Sequence, residues 1–370
     1  MDKLSDPRRF RPGSSGHALL EPVAAILAAT DLELRARRNA LGAKLAALLR
    51  AGDDDGIEAA FAAMPDAPHV QALFDALAQS VESPAVDPQG VRLNLFALPL
   101  VLVAASAQPL CIPGALPAVD AVQQLFERSG VLGPMQNFGL SPALCALEAL
   151  ESLLPATIFK AIRMIDANAL IASLPPADVE ISPGREQAHL RFLIGAGIGR
   201  ADAPELSETA ANIGAWGNAL SKRIREQLVA PGAQLLVLPR MPKGLMRAPQ
   251  SGRGAQLDVA LHLFVSNTVR RFRMTAGDPV AILSSHDDGE LRLTLSSLLA
   301  DDLVEGFRWP LARLDDLAAI QREMLQLLSE VRVDDVRVAP TLLPAKRTSG
   351  GVWHPRAAEW DALVSAAARH

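Results

Sequence analysis

Over the first 172 positions, apolar and polar residues follow one another with a helical period. The clearest case is 31–51, where Leu34, Leu41, Leu45, Leu48 and Leu49 fall on one face and Arg35, Arg37, Arg38 and Lys44 lie largely off it. Thr30 with Glu33 has the spacing of a capping box, and Gly52 follows the last turn. The same pattern predicts helices at about 55–63, 68–81, 90–106, 117–129, 142–153 and 156–173. Ser141-Pro142 reads as an N-cap followed by proline in the first turn, and Gly130 as the stop of the helix before it. The longest apolar run, Leu95 to Ala107, contains Pro99 and stops at Gln108, short of the roughly 20 residues that span a bilayer. It reads as a buried core helix. No fixed period relates these segments, which argues against a solenoid.

The pattern changes after the helix-breaking stretch 173–187, with Pro175-Pro176 and Pro183-Gly184. Beyond it the periodicity predicts a strand at 188–194, a helix at 207–229, a strand at 234–238 and a helix at 254–273. Apolar runs at 280–284 and 290–295 flank His286-Asp287-Asp288-Gly289, a hairpin signal. A strand at 302–308, a helix at 314–331 and a strand at 333–338 complete the order. The fold class expected is therefore α+β: an N-terminal all-α helical domain followed by an α+β domain with a mostly antiparallel sheet and helices on one face. The corresponding partition is a disordered N-terminus at 1–16, a helical domain at 17–172, a linker at 173–187, an α+β domain at 188–340 and a C-terminal appendage at 341–370 with a short helix at 357–368.

Composition narrows the functional classes. The chain has 370 residues, 49% of them apolar and 21% charged, with a mean hydropathy of +0.18, as folded globular proteins do. The net charge of −5 provides no global field to recruit nucleic acid or an anionic membrane, so such partners would need a local patch. The complete lack of tyrosine removes tyrosine acids and nucleophiles and makes aromatic-rich single-strand binding a poor fit. Only two cysteines occur, Cys111 and Cys145, both among apolar neighbours; they read as buried free thiols of a cytoplasmic protein. The N-terminus has no apolar core of the kind a signal peptide needs.

Local chemistry is sparse. Between residues 240 and 273 stand Arg240, Lys243, Arg247, Arg253, Arg270, Arg271 and Arg273 against the single acid Asp258, a local charge of +6 in an acidic chain. This asymmetry is either an anion-facing patch or a solvated loop joined to a helix C-terminus. Gly195, Gly197 and Gly199 follow a predicted strand and form either a phosphate-cradling cofactor loop or a flexible turn. The helix start some seven residues later favours the turn. Paired acids at Asp287/Asp288, Asp301/Asp302, Asp315/Asp316 and Asp334/Asp335 sit at expected turns and caps rather than in a metal-binding pattern. The seven histidines show no zinc spacing, and no nucleophile elbow, P-loop, CxxC or kinase signature occurs, so no metal or cofactor is expected and an enzyme is not favoured. Trp353-His354-Pro355 is either an anchor for a partner or a segment folded back on its own domain.

The helical opening around Ala46-Ala47-Leu48-Leu49-Arg50, the segment Leu98 to Ala105 leading into Cys111-Ile112-Pro113-Gly114-Ala115-Leu116-Pro117, Leu140-Ser141-Pro142-Ala143-Leu144 and Gly306-Phe307-Arg308-Trp309-Pro310-Leu311 together resemble an uncharacterised family of proteobacterial proteins known as a domain of unknown function. The resemblance implies a cytoplasmic bacterial protein and brings no activity or functional residue. The expectation is thus a non-enzymatic binding, adaptor or regulatory protein in which both domains present a groove to a protein partner. The alternative is an enzyme or regulator that holds a phosphorylated ligand or nucleic acid through residues 240–273.

Overall fold

A computed structural model describes residues 17–83, 90–129, 135–200, 210–228, 231–286, 289–297, 303–339, 351–353 and 368–369. The fold is α+β with antiparallel sheets, in two compact units, Met1–Gln256 and Leu257–His370.

The first unit opens with α1 (Leu20–Leu27), α2 (Asp31–Ala51), α3 (Asp54–Ala63) and α4 (Ala67–Glu82). Each boundary has a local cause. Gly52 adopts φ +68° and its N–H returns to the last turn of α2, as a left-handed C-cap requires. Asp53 accepts from the Gly56 N–H at 2.8 Å and Asp66 from the His69 N–H at 3.0 Å, capping α3 and α4. Thr30 occupies the N-cap of α2, but no side-chain cap bond forms there; Glu33 pairs with Arg37 at 2.8 Å instead of closing the capping box. Leu41, Leu45 and Leu49 bury the apolar face of α2.

The helical opening ends at α4. Residues 90–106, expected as a helix, form the long strand β1 (Val91–Ser106). Ten consecutive positions of β1, 95–104, are buried, because both faces of the strand are covered. Such a strand loses its period-2 alternation and cannot be told from a buried helix by periodicity. Pro99 is accommodated where the partner strand changes: its carbonyl accepts the Arg240 N–H at 2.9 Å, just beyond the last β6 pair, Leu100 with Pro239. The side of the residue lacking a donor thus faces a break in the ladder.

Then follow β2 (Leu110–Ile112), α5 (Val119–Ser129), β3 (Met135–Cys145), α6 (Leu147–Glu151), α7 (Pro155–Arg163), α8 (Asn168–Ala172), β4 (Val179–Ile181), β5 (Gln187–Arg200), α9 (Ala210–Gln227), β6 (Ala233–Pro239), β7 (Lys243–Gly244) and α10 (Ala248–Thr275). The helix expected at 142–153 is displaced: Ser141-Pro142 lies in β3, where the register with β5 shifts between Leu140 and Leu144, and only 147–151 is helical. A bulge of this kind tolerates proline within a strand. The main sheet runs β3-β5-β1-β6, with β7 also paired to β1. Phe96, Leu98, Leu100 and Leu102 of β1 pack on one face beneath α5 and α9, against Val122, Phe126, Trp216 and Leu220.

The unit boundary therefore differs from the expected linker at 173–187. β5 pairs with β1 from Val91/Arg200 to Ala104/Gln187, and β4 pairs with β2, so residues on both sides of that stretch build one sheet system. Its backbone is tied down as well: Asp178 accepts the Gly114 N–H at 2.8 Å, and Arg191 donates to the Ala177 carbonyl at 2.7 Å. Prolines there mark turns inside the unit and not a hinge between units.

The second unit contains α10 from Leu257 onward, β8 (Pro279–His286), β9 (Glu290–Ser297), β10 (Val304–Pro310), α11 (Leu317–Glu330), β11 (Asp335–Val338), β12 (Gly351–Trp353) and β13 (Ala368–Arg369). The sheet order is β12-β10-β9-β8-β11-β13, antiparallel except for the β8/β11 pair. One face carries Leu283, Leu291, Leu293, Leu295, Phe307 and Trp309 against α10 and α11. Asp316 caps α11 by accepting the Ala319 N–H at 3.1 Å. β12 and β13 add strands at both edges, so these pieces of the expected appendage belong to the sheet; the helix expected at 357–368 lies outside the described residues apart from Ala368, which is in β13. The N-terminal stretch 1–16 lies outside them as well.

Candidate functional site

The seven basic residues at 240–273 do not form one patch. Arg240, Lys243, Arg247 and Arg253 belong to the first unit, and Arg270, Arg271 and Arg273 to the second. Three already serve carboxylates: Arg247 is ion-paired with Glu82, Arg271 with Glu305, and Arg273 with Asp278 at 2.9 Å. Arg273 also donates to the Arg332 carbonyl at 2.6 Å, and Arg270 to the Asn267 side chain at 2.7 Å. Charge counting over 240–273 misses these acids, because Glu82 and Glu305 come from distant parts of the sequence and Asp278 lies just beyond the counted stretch.

Gly195, Gly197 and Gly199 do not make a phosphate loop. They lie within β5 at period 2, opposite Phe96, Asn94 and Arg92 of β1, with their backbone in the ladder. Any Cβ at Gly195 would collide with the Phe96 ring and lie 2.7 Å from Leu140 Cδ2; at Gly197 it would lie 2.7 Å from the Met135 sulfur. The glycines make room for large side chains in the core. β1 runs between β5 and the β7 pair, so the glycines and Lys243 stand on opposite sides of that strand.

Of the seven basic residues, Arg247 lines a groove of about 1340 Å³ in the first unit. The walls are two stripes at helical spacing. Positions 31, 34, 35, 38, 39, 42, 43 and 46 come from α2, and positions 68, 71, 72, 75, 76, 79, 80 and 83 from α4 and the residue that ends it. Both follow i, i+3, i+4, i+7, so each helix turns one complete face to the groove. Gly42, Ala43 and Ala46 on α2 meet Ala72, Ala76 and Ser80 on α4, which leaves the floor shallow and open. Arg35, Arg38, Arg163 and Arg247 stand around it with Asp31 and Asp75 as the acids, and Ile26, Leu27 and Leu34 make one end apolar. The groove runs along α2 from Asp31 to Ala46, about 22 Å at 1.5 Å per residue.

Glu82 anchors the end of this groove. Its carboxylate accepts the N–H groups of Met246 at 2.9 Å and Arg247 at 3.2 Å as well as the Arg247 guanidinium. Burial pushes its carboxyl above the usual range, outweighing the opposing pull of Arg247. The groove escapes a reading based on leucine stripes because its face of α2 is small and basic. The legible signal was a second periodic stripe beside the leucines.

Other expected groups are in structural roles. Asp315 accepts the Ala312 N–H at 2.9 Å, and Asp335 pairs with Arg337 at 3.1 Å; Asp287/Asp288, Asp301/Asp302, His354 and Pro355 lie outside the described residues. Among the described residues, no group of three or more His, Cys, Asp or Glu side chains is placed to hold a metal ion. No described helix is long and apolar enough to cross a membrane. Both cysteines are free, but Cys111 is exposed, because the alternation of β2 turns it outward between Leu110 and Ile112; Cys145 is buried. The chain matches no family model, no curated protein and no solved structure.

Proposed function

We propose that the protein is a cytoplasmic, non-enzymatic binding or adaptor protein whose groove between α2 and α4 receives an acidic amphipathic helix of a protein partner. The observation that carries this reading is the pair of facing stripes. Two helix faces with the same i, i+3, i+4, i+7 spacing offer gaps that match the side-chain spacing of a third helix. A helix about 10 Å wide and 22 Å long occupies roughly 1700 Å³. A groove of 1340 Å³ therefore takes most of its width while leaving one face in solvent. Arg35, Arg38 and Arg163 against Asp31 and Asp75 at the lining, with Arg247 held by Glu82, favour an acidic partner in a chain that is acidic overall. Nucleic acid is a poorer fit, since its affinity grows with the number of phosphates neutralised and the remaining basic residues are divided between the units.

The test is fluorescence anisotropy with a labelled 18-residue Glu/Ala/Leu amphipathic helix and a Lys-for-Glu counterpart. The acidic peptide is expected to bind with a Kd on the order of micromolar. The variant Arg35→Glu/Arg38→Glu should weaken it by about tenfold or more, and added salt should weaken it further. Failure of the acidic peptide to bind, or equal binding of the lysine peptide, overturns the reading.

A further inference from the structure

The four arginines that line the groove between α2 and α4 are not equivalent. Arg247 is already spent, since its guanidinium is ion-paired with Glu82. Arg35 and Arg38 stand exposed on α2 and make no hydrogen bond or ion pair among the described residues, so nothing fixes their long side chains. Arg163 differs on both counts. It too has no acid partner and no hydrogen bond among the described residues, yet its guanidinium carbon lies over the Phe159 ring, 5.0 Å from the centroid. Phe159 stands one turn earlier on α7 and is 5% exposed, so the ring is itself held in the core. A cation over a ring face is attracted by the ring quadrupole, and that contact leaves the N–H edge of the guanidinium unused.

The backbone holds the same end of α7 in place. This helix packs against both α2 and α4, so its last turn reaches the groove from a third side. The turn stops abruptly: the Ile165 N–H returns to the Ile162 carbonyl at 3.2 Å and the Asp166 N–H to the Ala161 carbonyl at 3.1 Å, with Ile165 at φ +52°. Glycine is the usual residue in that conformation, and a β-branched one is rare there because its Cβ crowds the backbone. The chain accepts this strain two residues beyond Arg163, and the strained turn fixes where α7 ends.

With an acidic helix as the occupant of the groove, the reading on which this rests, we infer that Arg163 is its specificity-determining residue, the fork on which the partner helix sets a carboxylate. A guanidinium that is already ordered loses little freedom when it closes two parallel hydrogen bonds on a carboxylate. Arg35 and Arg38 must first be ordered, and Arg247 must share its charge with Glu82. The α2 arginines therefore supply charge, and Arg163 supplies geometry. The partner needs a carboxylate in register with the last turn of α7, and acidity elsewhere on its helix does not replace it. Phe159 is buried and acts only through Arg163, as a positioning residue.

The test is fluorescence anisotropy of the full chain with the labelled acidic helix, comparing Arg163→Lys with Arg35→Lys and Arg38→Lys. Each variant keeps its charge and loses its fork, so only an arginine that binds through the fork suffers strongly. Arg163→Lys should weaken the peptide by about tenfold, several times more than either α2 variant. A second measurement isolates the ring. Phe159→Leu keeps an apolar side chain in the core, and it should weaken the peptide when Arg163 is present but not in the Arg163→Gln background, a non-additivity that lost packing alone does not produce. Circular dichroism melts establish that each variant is folded; if Phe159→Leu is not, the three lysine variants decide alone. Peptide binding by the wild-type chain with Arg163→Lys no weaker than Arg35→Lys and Arg38→Lys overturns the inference and leaves the groove reading standing. No binding by the wild-type chain overturns both.

Discussion

Glu82 in the last turn of α4 and Arg247 just before α10 form an ion pair across 165 positions of the chain. The same carboxylate accepts two backbone N–H groups at the entrance to a 28-residue helix, where a negative charge also meets the positive end of the helix dipole. One side chain therefore ties the helical opening to the segment that follows the sheet.

Removing that side chain should be costly. Glu82→Ala leaves two N–H groups and a guanidinium without their acceptor and is expected to lower stability by about 2–3 kcal/mol. Arg247→Ala should cost less, because its side chain is 37% exposed against 13% for Glu82 and the carboxylate keeps its backbone donors. Gly244→Ala should also destabilise, since a Cβ there would run into the Glu82 carboxylate. Urea denaturation of the three variants checks the order; equal losses for Glu82→Ala and Arg247→Ala contradict it.

Gly195→Ala should destabilise the fold by about 1–3 kcal/mol through overpacking against Phe96 and Leu140. Shortening the opposing ring in Gly195→Ala/Phe96→Leu should recover part of that loss. Thermal melts of the single and double variants decide this, and a single variant as stable as wild type removes the packing account of these glycines.

Thiol reactivity should separate the two cysteines. Burial pushes the Cys145 thiol up to about 11, so it should react with Ellman's reagent only after unfolding. Cys111 is exposed and should react in the native protein, more slowly than a free thiol, because desolvation and the nearby Asp178 and Glu180 raise it too. Two thiols titrating together in the native protein would refute this assignment.

Glu323 on α11 has its carboxyl raised, first by burial and then by its hydrogen bond to Asp258, with His262 acting in the opposite sense. Asp258 itself lies 3.1 Å from the His262 ring nitrogen. A raised acid binds more protons folded than unfolded, so stability falls as the pH climbs from the unfolded value near 4.5 through the higher folded one. Glu323→Gln should accordingly raise Tm at pH 7 and change it little at pH 4. A lower Tm for the variant at pH 7 would mean that the charged form is the stabilising one.

The sequence by itself determined the elements whose causes are local. Helices at 31–51, 55–63 and 68–81 follow from single apolar stripes and Asp or Gly at the ends, and the hairpin around Gly289, φ +77°, follows from short-range turn chemistry. The α+β class and the antiparallel sheet of the second unit were legible for the same reason. Only the tertiary structure decided whether 90–106 was strand or helix, because burial of both faces of β1 erases the period that distinguishes them. It also decided where the units divide, since pairing of β5 with β1 joins residues far apart in the chain. The candidate site belongs to this second class. The groove needs α2 and α4 side by side. Charge counting along the chain pointed instead to 240–273, where acids supplied by distant segments neutralise Arg247 and Arg271. Local sequence sets what a segment can form; long-range packing sets which side chains meet, and sites are made of side chains that meet.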